Sequence, residues 1–450
     1  MLEKKQKQIV HCLTLGAILG SLLWMPSAQG ARNSNDSTQV QLNAALGTPV
    51  MKADEKQTAF LKVGLTGFEL KDSGERSPVN VCLVIDRSGS MSGDKIVKAR
   101  EAAIMAVDRL DSKDILSIVA YDHTVNVLLP ATKVTDKHEI RAAIRKLVPG
   151  GNTALFAGVS KGAKEIRKFL DENRVNRIVL VSDGLANVGP SSPSELGELG
   201  ASLRKEGISV STIGLGLDFN EDLMVKLAIE ADGNHAFAEN STDLARIFDR
   251  ELGDILSIVA QDVFVRIECR EGIRPVRMLG REATIDGQLV TANLTQLYSN
   301  QEKYLMLEVE VPATSEGGTR DIAKVTVTYD NMATTVRDEL SSQVAARFSG
   351  SDVVVKKERN KDVVISAVRR LGALSHQKAV TLRDEGKVEE AQEVLHSNAT
   401  LLGDYAAELD APVLYEDQRM NNSDAKNLEN KRDWARQRKQ MQDDDFQISR

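Results

Sequence analysis

From Val79 to about residue 257, short unbroken apolar runs alternate with amphipathic segments of helical period, and this alternation limits the possible folds more than any other feature of the chain. The runs are Val81–Ile85, Ile115–Ala120, Val125–Leu129, Ile178–Val181, Ile208–Ile213 and a weaker one at Ala236–Ala238. The helical segments lie at about 94–110, 136–147, 155–171, 194–206, 220–230 and 241–257. A strand that is apolar at every position must be covered on both faces, so the pattern predicts a doubly wound, mostly parallel sheet with helices on each side. The second and third runs lie too close together for a crossover. They are expected to form a hairpin around Tyr121-Asp122-His123, which puts one antiparallel strand at an edge. The first and fourth runs are expected to be neighbours, so that the loops after them converge.

The flanks follow a different period. Phe60 to Leu70 alternates apolar and polar residues, and the turn-rich stretch Lys71–Pro78 follows it. Alternation returns at Val263–Cys269, Lys303–Val311 and Ala323–Tyr329, punctuated by Gly, Asn and Asp. These are the marks of an antiparallel sandwich. The strands before Pro78 need partners, so residues 31–78 and 258–345 are expected to form one β-domain, with the α/β domain of 79–257 inserted between them. Residues 346–415 read as helical, with Gly386 at the turn of a helical hairpin. Residues 416–450 are dominated by charge and read as a polar tail, either a solvated helix or a disordered end.

The first thirty residues have the layout of an export signal: basic Lys4, Lys5 and Lys7, an apolar stretch from about Ile9 to Met25, and small residues Ala28 and Gly30 suited to cleavage. An exported protein, periplasmic or at the cell surface, is expected. No later segment has eighteen apolar residues in a row, so no membrane span is expected after cleavage. With a net charge of -7 and 4% aromatic residues, the chain lacks the basic patch and stacking surface of a nucleic-acid binder. Cys82 sits in an apolar run and Cys269 in a different domain, so no disulfide is expected.

Chemistry concentrates at the end of the first run. Asp86-Arg87-Ser88-Gly89-Ser90 follows that strand directly, and open α/β sheets collect ligands at the carboxyl ends of their strands. The alternating positions 86, 88 and 90 can turn three oxygens into one concavity. Gly150-Gly151-Asn152-Thr153 offers a hydroxyl before a helix, and Asp183-Gly184 ends the fourth run with a carboxylate. All five donors, Asp86, Ser88, Ser90, Thr153 and Asp183, are hard oxygens, without His or Cys. Such a set selects Mg²⁺, Mn²⁺ or Ca²⁺ over zinc or copper. Only two of the five are anionic, so a cation held there stays electrophilic and can take one more carboxylate from outside.

Asp86-x-Ser88-x-Ser90, Thr153 and Asp183-Gly184 resemble the metal-ion-dependent adhesion site of von Willebrand factor type A domains. Asn176–Gly184 and Ser211–Gly216 are similar to the exported bacterial branch of that family. The branch carries a β-domain around its A domain, as inter-alpha-trypsin inhibitor heavy chains do. The resemblance implies Mg²⁺-dependent binding of a protein partner that supplies an Asp or Glu carboxylate. It also implies coupling between the site and the last helix, about 241–257, which opens an alternative role as a metal- and ligand-gated conformational or mechanical component.

Other features read as ordinary. Thr153 could cap a helix on its own, and Asp94 and Asn220-Glu221-Asp222 suit helix first turns. His123 and His235 read as surface or loop histidines. Ser92-Gly-Asp-Lys95 matches the S-x-x-K pattern of penicillin-binding enzymes, but their companion motifs are missing. No general base for a metal-assisted hydrolase is evident, so a non-enzymatic protein is expected.

Overall fold

The computed structural model of the chain describes residues 38–70, 76–430 and 433–449. The export signal expected at residues 1–30 lies outside them. Three strands come first: β1 (Gln41–Leu46), β2 (Val50–Lys52) and β3 (Gln57–Thr66). The α/β domain then runs β4 (Val79–Asp86), α1 (Asp94–Arg109), β5 (Ile115–Tyr121), β6 (Val125–Lys133), α2 (Lys137–Arg145) and α3 (Leu155–Ile166). It continues through β7 (Val175–Ser182), α4 (Pro193–Lys205), β8 (Ile208–Leu215), α5 (Glu221–Glu230), β9 (Asp232–Ala238) and α6 (Asp243–Leu256).

The six strands form one sheet in the order β6-β5-β4-β7-β8-β9. Every neighbouring pair is parallel except β5 with β6, the expected hairpin. Strands β4, β5, β7 and β8 are buried at every position, which is why they read as unbroken apolar runs. Successive β4 side chains point to opposite faces. Val79, Val81, Leu83 and Ile85 pack against α1 and α6, while Cys82 and Val84 pack against α3, α4 and α5. Cys82 and Cys269 are both free and buried.

Seven strands follow: β10 (Ile258–Cys269), β11 (Arg274–Leu279), β12 (Thr284–Asp286), β13 (Leu289–Tyr298), β14 (Glu302–Val311), β15 (Thr319–Asn331) and β16 (Val336–Ser349). With β1 to β3 they make two sheets, ordered β1-β3-β14-β11 and β12-β13-β10-β15-β16-β2. Strand β3 pairs with β14 from Gln57↔Val311 to Thr66↔Glu302, so the chain closes the sandwich across the whole inserted domain. Leu61, Val63 and Leu65 of β3 sit in the core shared by the two sheets, and none of the three is exposed. The β-domain ends at Ser349, past the expected limit of 345, because the inward residues Val344, Ala346 and Phe348 carry β16 onward.

Five helices complete the described residues: α7 (Asp352–Lys357), α8 (Lys361–Asp384), α9 (Val388–Leu409), α10 (Pro412–Asn427) and α11 (Trp434–Ser449). Val363 and Ala367 of α8 pack on Leu279 and Met306 of the sandwich. The α8–α9 hairpin turns at Gly386, as expected.

The described residues of the expected polar tail of 416–450 are mostly helical, in the rest of α10 and in α11, and packed rather than solvated. Met441 and Phe446 of α11 are buried, and its charges are paired rather than solvated. Arg438 bonds Glu221, Asp222 and Asp384, and the Lys439 ammonium bonds the Phe219 carbonyl and Glu221. The helix thus crosses from α8 to the first turn of α5 and edge strand β9. Gln447 reaches the His235 carbonyl on that strand. His235 is buried rather than on the surface, because Phe219 and Phe446 close around its ring. His123 is exposed, as expected.

Candidate metal centre

Strand β4 ends at Asp86, at the carboxyl edge of the sheet beside β7. The chain then makes a single helical turn over Gly89–Met91, anchored by fully buried Met91, before α1 begins. This turn holds Ser88 and Ser90 over the edge. The Ser88 amide donates to Asp86 Oδ1 at 2.8 Å, and the Ser182 hydroxyl donates to Oδ2 at 2.7 Å. Both carboxylate oxygens of Asp86 are therefore fixed. Burial raises its pKa to about 6 against those hydrogen bonds, and the nearby charge of Asp183 adds to the rise.

Thr153 arrives on a second loop, which is stitched to the first. The Gly150 amide donates to the Arg87 carbonyl at 2.7 Å, and the Gly89 amide to the Gly151 carbonyl at 3.0 Å. Gly151 has φ +81, and a Cβ there would strike the His123 ring, so this position requires glycine. The Thr153 amide donates to Asn187 Oδ1 at 2.9 Å, and the Asn187 amide returns to the Thr153 carbonyl at 3.1 Å. The second loop is thereby tied to the third, which follows β7 and carries Asp183.

The structure brings all five expected residues together. Ser88 Oγ lies 3.0 Å from Ser90 Oγ, and Ser90 Oγ donates to Asp183 Oδ1 at 2.7 Å. A Cβ placed on Gly184 would stand 3.1 Å from Thr153 Oγ1, 3.5 Å from Ser90 Oγ and 3.8 Å from Ser88 Oγ. The three hydroxyls therefore surround a small space that the missing side chain of Gly184 leaves open. Asp86, Ser88, Thr153 and Asp183 are buried and Ser90 is exposed, so the cradle opens outward on one side. Its chemistry fits a hard divalent cation: three neutral hydroxyls around a space one methyl wide, with the buried carboxylates of Asp86 and Asp183 hydrogen-bonded to Ser88 and Ser90 of that ring. Among the described residues no cluster of three or more His, Cys, Asp or Glu side chains is placed to hold a metal, so a cation site here has to rely on hydroxyls.

The sequence profile of the von Willebrand factor type A domain matches residues 80–250, the segment that builds this sheet and its loops. The chain carries a von Willebrand factor type A domain. An uncharacterized protein of Synechocystis sp. is 28% identical over 274 residues, which cover 58% of this chain and 64% of that protein. Human inter-alpha-trypsin inhibitor heavy chain H2 is 30% identical over 181 residues, or 38% of this chain and 19% of that one. The matched stretch is thus less than two thirds of each relative's length. A solved von Willebrand factor type A structure from Catenulispora acidiphila superposes with a TM-score of 0.68 at 16% identity, covering 85% of this chain and 91% of that one. The shared fold therefore extends well beyond the A domain.

Three residues around the A-domain site were not singled out from sequence for this role. Ser182 and Asn187 hold the loops but carry no local signal. Lys95, noticed only within S-x-x-K, places its ammonium on Asp183 Oδ2. It did carry a signal: it is the second residue of α1, where the helix dipole disfavours a cation. The Asp183 carboxylate offsets that cost.

Proposed function

We propose that this chain is a divalent-cation-dependent protein-binding module, an adhesion or scaffold protein rather than an enzyme. Asp86, Ser88, Ser90, Thr153 and Asp183 hold Mg²⁺, with Mn²⁺ or Ca²⁺ as alternatives, and the ion completes its shell with an Asp or Glu carboxylate of a protein partner. The observation that carries this reading is the ring of Thr153, Ser90 and Ser88 hydroxyls around the bare Cα of Gly184, beside two buried carboxylates. The bound ion would supply Lewis acidity toward the incoming carboxylate. The chain's own part is to fix the oxygens and leave one face open. Export to the periplasm or cell surface belongs to the same reading and is carried by the basic start and apolar stretch of residues 1–30.

Calorimetric titration of Mg²⁺ into the chelator-stripped chain, beside Asp86→Ala, tests the site. Saturable heat from the parent and none from the variant is the expected result. Equal heats from the two would refute it.

One contact network favours the conformational role as a second reading. Helix α6 runs through Ser257 directly into β10, and its Glu251 joins the buried Arg177 that reaches Gln296 on β13. A shift of α6 would therefore be felt in the sandwich. Small-angle scattering with and without Mg²⁺ and an acidic peptide would give superimposable curves if no such coupling exists.

A further inference from the structure

We propose that Lys95 is a fixed internal counter-charge of the metal centre, weakening the hold on the ion alone while keeping the loaded site cationic toward an acidic partner. The inference rests on the proposed metal site and assigns a role to a residue outside its five oxygens.

Asp183 is fully buried, and its two carboxylate oxygens face different groups. Oδ1 accepts from Ser90 on the cradle side, and Oδ2 accepts from the Lys95 ammonium. The Lys95 side chain is 28% exposed. Its Nζ also stands 3.5 Å from the point where a Cβ on Gly216 would lie, so the lysine is held between the β7 loop and the β8 loop. At the start of α1 the dipole opposes a cation. The position is therefore unfavourable locally and is held by the Asp183 contact.

The charges give the consequence. Asp86, Asp183 and Lys95 sum to minus one. A divalent cation brings the centre to plus one, and an incoming carboxylate brings it to zero. Without the lysine the loaded site would be neutral, and a carboxylate would leave it at minus one. An ammonium hydrogen-bonded to Asp183 would stand close to an ion held by that carboxylate, where like charges repel strongly in a partly buried setting. Lys95 thus shifts binding energy from the first step, metal capture, to the second, carboxylate capture. A merely structural lysine would have the opposite effect, since its loss would loosen Asp183 and weaken metal binding.

The test is Mg²⁺ titration by calorimetry on the full chain as Lys95→Gln, which keeps a donor for Asp183 but drops the charge, and as Lys95→Arg, which keeps the charge. Lys95→Gln should bind Mg²⁺ at least about tenfold more tightly than the parent, and Lys95→Arg should stay within about threefold of it. Thermal melts with and without Mg²⁺ provide a second readout, with Lys95→Gln gaining more from the ion than the parent does. Equal or weaker Mg²⁺ binding by Lys95→Gln overturns the proposal while leaving the metal site standing. Tighter binding by both variants overturns it too, because charge is then not the cause. No Mg²⁺ binding by parent or variants removes both the proposal and the metal reading.

Discussion

Replacing Arg177 by methionine should destabilise the protein by about 3–5 kcal/mol, the usual cost of stranding one member of a buried ion pair. Arg177 lies on β7, and its side chain has no exposure. It donates to Ser211 Oγ at 2.6 Å and Glu251 Oε1 at 3.2 Å, and also to Gln296 on β13. Glu251, on α6, is only 6% exposed. Asn234 donates to its other oxygen at 2.6 Å. Methionine keeps the aliphatic stem, so little packing is lost. What remains is a buried carboxylate without its counter-charge and a Gln296 carbonyl without its donor. Glu251→Gln on the same background removes the stranded charge, so the double variant should recover on the order of 2 kcal/mol relative to the sum of the singles. Urea unfolding followed by circular dichroism, run on the parent, both single variants and the double, measures the cycle. A loss below about 1 kcal/mol for Arg177→Met, or strict additivity, would refute the claim that Arg177 and Glu251 act as a coupled, buried ion pair.

Gly184→Ala should abolish Mg²⁺ binding, or weaken it more than about tenfold, while leaving the melting curve nearly unchanged, because the new methyl enters the space between the three hydroxyls. Calorimetry beside a melt checks both halves, and unchanged Mg²⁺ affinity would contradict the proposed metal site. Burial, helped by the Lys439 ammonium, lowers the His235 pKa to about 3, so the folded protein keeps this ring neutral. The unfolded chain protonates it below about pH 6.5, so its contribution to stability should be lost as pH falls from there toward 3, and His235→Gln should flatten that part of a stability–pH curve. Burial opposes charge on His376, but Asp445 and Asp424, 3.0 Å from its two ring nitrogens, raise its pKa to about 10. Its stabilising contribution is complete below about pH 6.5 and should be lost as pH rises toward 10, a loss that melts of His376→Gln would not show.

The readable parts of this fold are those whose signal is local. A strand covered on both faces must be apolar throughout, and β4, β5, β7 and β8 announce themselves that way. The cradle was readable for a related reason: each oxygen stands at the end of a recognisable element, and strand order then brings the ends together. Strand β2 has three residues and a partner almost three hundred positions away, so nothing in its own sequence marks it. Helix α11 was misread as a solvated tail because its charge is balanced by Glu221 and Asp222, more than two hundred residues earlier. His235 was misread for the same reason, since one of the rings that bury it, Phe446, belongs to that helix. Lys95 shows that a local conflict, a cation at a helix start, can point to a distant partner even when the partner's identity is hidden.

The closure of β3 on β14 also bears on how the polypeptide is made. Strands β1 to β3 emerge before the inserted domain, yet the residues that pair with β3 begin at Glu302. Until more than two hundred further residues have emerged, an apolar strand with one unmatched edge waits without its mate. The inserted domain is contiguous in sequence and can be complete in that interval, so maturation should proceed from the middle of the gene product outward. A pause or truncation before codon 311 would leave a finished A domain flanked by a sticky ribbon, the kind of intermediate that holding chaperones retain and that aggregates without them.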